Sequence, residues 1–151
     1  MNEVTATTTS TSAGDPLLNG LMGIGQLIEQ RMDEAVQVHG LSLAKMGALH
    51  NLVQRSEPVP LGVLSRELHC VKSNITQLID RLEADKLARR VPDPEDRRSV
   101  RAEITEEGRK RFQAGRQALE EVQQEILGGL SGSEREQLLR LLARMRGGDG
   151  L

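Results

Sequence analysis

The sequence predicts a mainly α-helical chain carrying one small β-hairpin, and three observations lead there. Apolar residues recur at three- and four-residue steps through six segments of the 151-residue chain, as amphipathic helices require. Between Leu87 and Ile104 that period gives way to strand-like alternation on either side of an Asp93-Pro94-Glu95-Asp96 turn. Directly before the hairpin, two short helices are joined only by His69-Cys70-Val71, a helix-turn-helix spacing.

Taken in order, residues 1–15 are rich in Thr and Ser and are expected to be a disordered tail, with neither the basic start nor the apolar centre of a secretory signal. Pro16 to Val38 reads as the first helix, with Leu17, Leu21, Ile24, Ile28, Met32, Ala35 and Val36 in phase and Gly40 ending it. Gly20, Gly23 and Gly25 weaken its first half by about 1 kcal/mol each relative to Ala, so this half needs a partner surface. Ser42 caps a second helix to Leu52 that buries Leu43, Met46, Leu49 and Leu52. Glu57-Pro58-Val59-Pro60 reads as a rigid connector, and Pro60 suits the first turn of a third helix, Leu61 to Leu68. The fourth helix runs from Lys72 to Asp85, and the hairpin follows. Thr105 caps a long helix to Leu127, with Glu106 and Glu107 well placed in its first turn. Gly128-Gly129 breaks it. Ser133 with Glu136 is expected to be a capping box for a last helix, Glu134 to Arg144, burying Leu138, Leu139, Leu141, Leu142 and Met145.

Composition narrows the function. The net charge of −2 hides an uneven distribution: Pro58 to Arg101 holds nine basic residues against seven acidic ones, a net of +2, which leaves −4 elsewhere. With one Phe and no Trp or Tyr, aromatic stacking on single-stranded bases is not available. A lone Cys70 excludes an internal disulfide and fits a reducing compartment. No apolar run reaches the length of a membrane span, so a cytoplasmic location without membrane association is expected. Neither a Gly-rich phosphate loop nor a nucleophile signature is present, and His39 and His50 lack the spacing of a metal site. No enzyme, cofactor or metal is expected.

On the fourth helix Val71, Ile75, Leu78, Ile79 and Leu82 share one face at 100° per residue, which turns Ser73, Asn74, Thr76, Gln77 and Arg81 outward. Asn and Gln pair bidentately with adenine, Ser and Thr reach several base edges, and Lys72 can reach phosphate. The bland reading is an amphipathic surface helix. The hairpin that follows it decides for double-stranded DNA, because Arg89, Arg90, Arg97, Arg98 and Arg101 bracket the Asp93-Pro94-Glu95-Asp96 turn at a tip of the size that enters a groove. An Arg is favoured in a narrow A·T minor groove without reading any one base. Asp96 beside Arg98 has a use even so: a carboxylate can hold a guanidinium at the required angle. Helix-turn-helix and hairpin together make a winged helix-turn-helix. The seams on the first and last two helices exceed what one small domain covers, which predicts a homodimer.

The block LSRELHCVKSNITQLIDRLEADKLARRVPDPEDRRSVRAEITEEG resembles the winged helix-turn-helix of the MarR (multiple antibiotic resistance regulator) family. The wing pattern falls on Asp93-Pro94-Glu95-Asp96-Arg97-Arg98 and Ile104-Thr105-Glu106-Glu107-Gly108, and the likeness extends from about Pro16 to the C-terminus. It implies a dimeric transcription factor with residues 16–40 and 105–151 as dimerisation helices and 41–104 as the DNA-binding unit. It also implies base readers at Ser73, Asn74, Thr76 and Gln77, and an Asp96 that orients a minor-groove Arg98. A small apolar or amphipathic effector relieving repression would lie around Arg31, Met32, Val36, His39, Met46 and His50. The chain departs from the family at Asp85-Lys86, where Gly is usual, at Met46, where an aromatic is frequent, and in its lack of aromatics. Two other readings remain at this stage: a redox switch through Cys70, beside His69 and Lys72, and a winged helix used for protein–protein contact.

Overall fold

The computed structural model describes residues 14–69 and 72–147. Helix α1 (Pro16–Gln37) starts on Asp15, whose carboxylate accepts the Leu17 N–H at 2.8 Å, with Pro16 in the first turn. Asp15 therefore belongs to a helix cap rather than to the expected tail, of which residues 1–13 lie outside the described residues. At the other end Leu41 N–H reaches back to the Val36 carbonyl and Gly40 N–H to that of Gln37, with Gly40 at φ +70°. This pair of bonds is the glycine-ended helix terminus expected there, and Val36 and Leu41 are both buried beside it. Helix α2 (Leu43–Val53) is capped by the Ser42 hydroxyl, as the sequence predicts.

The connector 57–60 is where expectation and structure part. Val59–Pro60 forms a strand, β1, antiparallel to β3 (Val100–Ile104), which also pairs with β2 (Ala88–Pro92); the sheet order is β1-β3-β2. Two residues, one of them Pro, carry no strand period; the open edge of β3 makes β1. Helices α3 (Leu61–Glu67) and α4 (Lys72–Ala84) pack between this sheet and α2, and α5 (Glu106–Leu127) runs back along α1 and α2. Val36, Leu49, Leu64, Ile75, Ile79, Leu82 and Leu87 are all but fully buried, so the core is aliphatic, with Phe112 from α5 closing it.

Helix α6 (Gly132–Met145) corrects the sequence reading twice. The capping box is Ser131 with Glu134, two residues earlier than Ser133 with Glu136. Both pairs have the right spacing; the earlier one is selected because Arg135 then reaches the Leu130 and Leu127 carbonyls at 3.2 and 2.7 Å, tying α6 to the end of α5. Leu138, Leu139, Leu141, Leu142 and Met145, expected inside, are exposed, as are Leu17, Leu18 and Met22 of α1.

The turn from α4 into β2 places Lys86 at φ +61°, with Lys86 N–H on the Glu83 carbonyl and Leu87 N–H on that of Leu82. That is the same terminus as at Gly40, built on a residue whose Cβ is disfavoured there. Lys86→Gly is therefore expected to stabilise the fold by about 1 kcal/mol, raising the midpoint of a calorimetric melt by about 2–4 °C. An unchanged or lower midpoint would show that Lys86 is not strained. Gly108 is constrained in the opposite sense: a Cβ there would lie 2.0 Å from the Leu87 carbonyl oxygen and 2.8 Å from Ile104 Cγ1. Gly108→Ala must push α5 off the hairpin, and a loss of about 2 kcal/mol, several degrees in the same melt, is the expected outcome.

Candidate nucleic-acid interface

Helix α4 buries Ile75, Ile79 and Leu82 against the core, leaves Leu78 half-buried and exposes Ser73, Asn74, Thr76, Gln77 and Arg81. The phase predicted from the sequence is the observed one. Cys70 and Val71 lie outside the described residues, and of Lys72 only the helical backbone is described. Among the described residues, Asn74, Gln77 and Arg81 make no side-chain hydrogen bond or ion pair. They rim a groove of about 370 Å³ floored by Leu43, Ala44, Gly47, Leu68 and Leu78. From Ser73 to Arg81 the exposed row extends about 12 Å at 1.5 Å per residue, and a major groove of about that width admits a helix.

The hairpin is set in the register Ala88↔Ile104 through Pro92↔Val100. Asp93, at its upper end, is buried and turned inward. Its Oδ2 accepts from Arg101 Nε at 2.8 Å and its Oδ1 from Arg101 Nη2 at 3.2 Å, a two-pronged pair. The same Oδ1 accepts the N–H groups of Glu95 at 2.9 Å and Asp96 at 3.3 Å. The Arg101 hydrogen bond, followed by that from Glu95 N–H, outweighs burial and holds the Asp93 carboxyl below its ordinary pKa. The sequence reading placed Asp93 in the turn and Arg101 among the arginines around it but did not pair the two. The signal was there in Asp93-Pro94-Glu95, where an Asp side chain receives the N–H two residues on.

Asp96 does not hold the Arg98 guanidinium, as expected from their proximity. Its Oδ1 accepts the Arg98 backbone N–H at 2.9 Å, which shapes the turn instead. The guanidinium groups of Arg97 and Arg98 are exposed at the tip and, among the described residues, unpaired. Arg89 lies directly across from Glu103 and pairs with it at 2.5 Å. Arg90, expected to face DNA, is committed inside the fold: it pairs with Asp80 at 2.6 Å and with Glu83, and donates to the Thr76 carbonyl at 3.2 Å. Since Asp80, Glu83 and Thr76 all belong to α4, Arg90 fastens that helix to β2.

The six residues expected around an effector do not gather in one cavity of the single chain. Val36 and Met46 are core residues, Arg31 is ion-paired with Glu125 of α5, and Met32 is half-buried. His39 lines a shallow groove with Glu107, Lys110 and Arg111, while His50 is exposed with its ring 6.0 Å from that of Phe112. The expectation treated α1 and α2 as the walls of a cleft, whereas their facing sides are packed together through Val36, Leu41 and Met46. Among the described residues no group of three or more His, Cys, Asp or Glu is placed to hold a metal ion, and no helix is long and apolar enough to cross a membrane.

Comparison with known proteins agrees with this geometry. Residues 39–99 match the model of the MarR family. The uncharacterized HTH-type transcriptional regulator YdgJ of Bacillus subtilis is 25% identical over 130 residues, covering 86% of this chain and 77% of YdgJ. A probable transcriptional regulator from Pseudomonas aeruginosa has 29% identity and a TM-score of 0.67 over 85% of this chain and 98% of its own. A mutant MarR from E. coli, solved in complex with operator DNA, shares the fold at a TM-score of 0.72 and 21% identity, over 86% of this chain and 93% of that one.

Proposed function

We propose that this chain, whose residues 39–99 match the MarR family model, is a homodimeric, sequence-specific DNA-binding repressor acting on a palindromic operator in the cytoplasm. One observation carries the reading: among the described residues the side chains of Asn74, Gln77 and Arg81 on α4 and of Arg97 and Arg98 at the wing tip are exposed and unpaired, and Arg90 fastens α4 to the hairpin that carries the tip. The mutant MarR of similar fold was solved on operator DNA, which supports the same use of these surfaces here. In this reading α4 reads base edges and the wing supplies charge to an adjacent groove.

The dimer rests on apolar surface. Leu17 and Leu21 of α1 with Leu138, Leu141, Leu142 and Met145 of α6 line an open groove of about 450 Å³, and much of it faces solvent in the single chain. A patch of this kind marks an interface, and a second copy places two α4 helices for successive major grooves about 34 Å apart. Relief of repression by a small apolar or amphipathic effector belongs to this reading; such a ligand acts only through its different affinity for two spacings of those helices.

Footprinting of sites selected from a randomised duplex library is expected to show a dyad-symmetric protected region. Within it Gln77→Ala is expected to relax preference at one position per half-site at a cost of about 1–3 kcal/mol, whereas Arg98→Ala weakens binding to all sequences, most on A·T-rich flanks. Uniform loss from both variants would overturn this division between helix and wing. For the dimer, sedimentation equilibrium of the Leu138→Glu, Leu142→Glu double variant is expected to give a monomer with DNA affinity reduced at least tenfold. A dimer retained in that variant would move the interface elsewhere.

A further inference from the structure

The wing tip poses an electrostatic problem: Asp93, Glu95 and Asp96 share it with Arg97 and Arg98, although the partner is a polyanion. The geometry resolves part of it. Asp93 is turned into the hairpin with its side chain 8% exposed, its charge matched by Arg101, and Asp96 is engaged by a backbone N–H. Glu95, Asp96, Arg97 and Arg98 remain exposed at the tip, so the placement of the two guanidinium groups relative to those carboxylates decides what a groove meets.

We propose that Asp93 and Arg101 are positioning residues for DNA binding: their two-pronged pair fixes the loop 93–99 so that Arg97 and Arg98 stand at its tip. The inference rests on the DNA-binding reading above. One carboxylate touches three places at once: the start of β3 through Arg101, and the loop through the N–H groups of Glu95 and Asp96. The loop closes through Asp93 N–H on the Ser99 carbonyl at 3.3 Å and Ser99 N–H on that of Asp96 at 2.9 Å. Arg101 is in turn fixed from the far side, opposite Pro60 of β1. Without this centre, a hairpin loop longer than the common two to five residues has many conformations, and each guanidinium must be ordered when it meets DNA. The position of the pair follows from the register. Val91 faces Arg101 across the hairpin, and Asp93 is the next residue on that face, a diagonal neighbour within reach of a long side chain.

Asp93→Asn separates the two halves of the role. The amide oxygen still accepts from Glu95 and Asp96, but the amide nitrogen meets the Arg101 donors. Binding is read by fluorescence anisotropy on a 20-base-pair A·T duplex and a G·C duplex of equal length, at about 50 mM salt so that contacts from α4 persist. Asp93→Asn is expected to weaken binding to the A·T duplex about tenfold and Arg101→Lys, which keeps the charge but not the fork, about threefold. In an Arg97→Ala, Arg98→Ala background the Asp93→Asn effect is expected to fall below twofold, because the groups it positions are gone. An equal loss in both backgrounds would make the pair merely structural and overturn the inference, as would unchanged affinity in both single variants. If Asp93→Asn does not fold by circular dichroism, Arg101→Lys in the two backgrounds gives the same decision. Wild-type protein that binds neither duplex would instead overturn the DNA-binding reading itself.

Discussion

The carbonyl oxygens of Lys86 and Leu87 form the joint on which the rest of this structure turns. The Thr105 hydroxyl donates to Lys86 at 2.7 Å and the Thr105 N–H to Leu87 at 3.0 Å, while the same hydroxyl caps α5 through Gly108 N–H at 2.9 Å. Helix α4, the hairpin and the long helix α5 therefore meet at one joint. Gly108 has no side chain because the Leu87 oxygen occupies that space. The left-handed residue Lys86 follows from the same demand, since only a reversal immediately after α4 delivers those two carbonyls to Thr105. Backbone groups are the strongest way to fix such a joint: buried and unpaired they cost more than a side-chain contact returns. The angle between helix and wing is consequently set by main chain, and side chains refine it.

Charge is arranged in the same order. The basic centre of the sequence does not present itself wholesale to solvent. Arg90 pairs with α4, Arg101 with Asp93 and Arg89 with Glu103. Exposed pairs such as Arg89 with Glu103 contribute little to stability, about 0–1 kcal/mol. The half-buried ones matter differently, because removing one partner strands the other in a poor solvent for charge. Among the described residues Arg66, Arg81, Lys86, Arg97 and Arg98 are left over, and Arg81, Arg97 and Arg98 of these lie on the two surfaces that would meet DNA. Acidic residues in the wing are thus consistent with a polyanion partner once their own partners are identified.

How far these features were legible depends on the range of the interaction that fixes them. The outward row of α4 was readable because burial follows a 3.6-residue period set by Ile75, Ile79 and Leu82. Caps at Ser42 and Thr105 were readable because they act over three residues. The box at Ser131 was not, since two equal local patterns compete and a contact from Arg135 to the end of α5 chooses between them. β1 has no local signature at all; it exists because β3 offers an edge. The assignment of Asp96 to Arg98 took closeness in sequence for closeness of side chains, whereas hairpin register brings Asp93 and Arg101 together across eight residues. For the residues expected around an effector, helical phase tells which are inward, not whether the inside is filled, and in the single chain Val36 and Met46 are core.

The exposed apolar seams and the sparse free charge belong to one argument. Each phosphate neutralised contributes about 0.9 to the slope of log affinity against log salt, so a chain with only a few unpaired cations at its interface gains little from counterion release. A single copy would be a weak binder at physiological salt whatever α4 reads. In the proposed dimer the second copy binds as a tethered partner, and its contacts add without a second loss of translational freedom. α5 makes that coupling mechanical, because the helix packed along α1 at one level is clamped to the Leu87 carbonyl at another. In that proposed dimer, a change in how the seams of α1 and α6 pack would be transmitted to the wing and α4 through α5. In the proposed dimer, the apolar surface left open on the single chain would be the one that sets the distance between the two α4 helices.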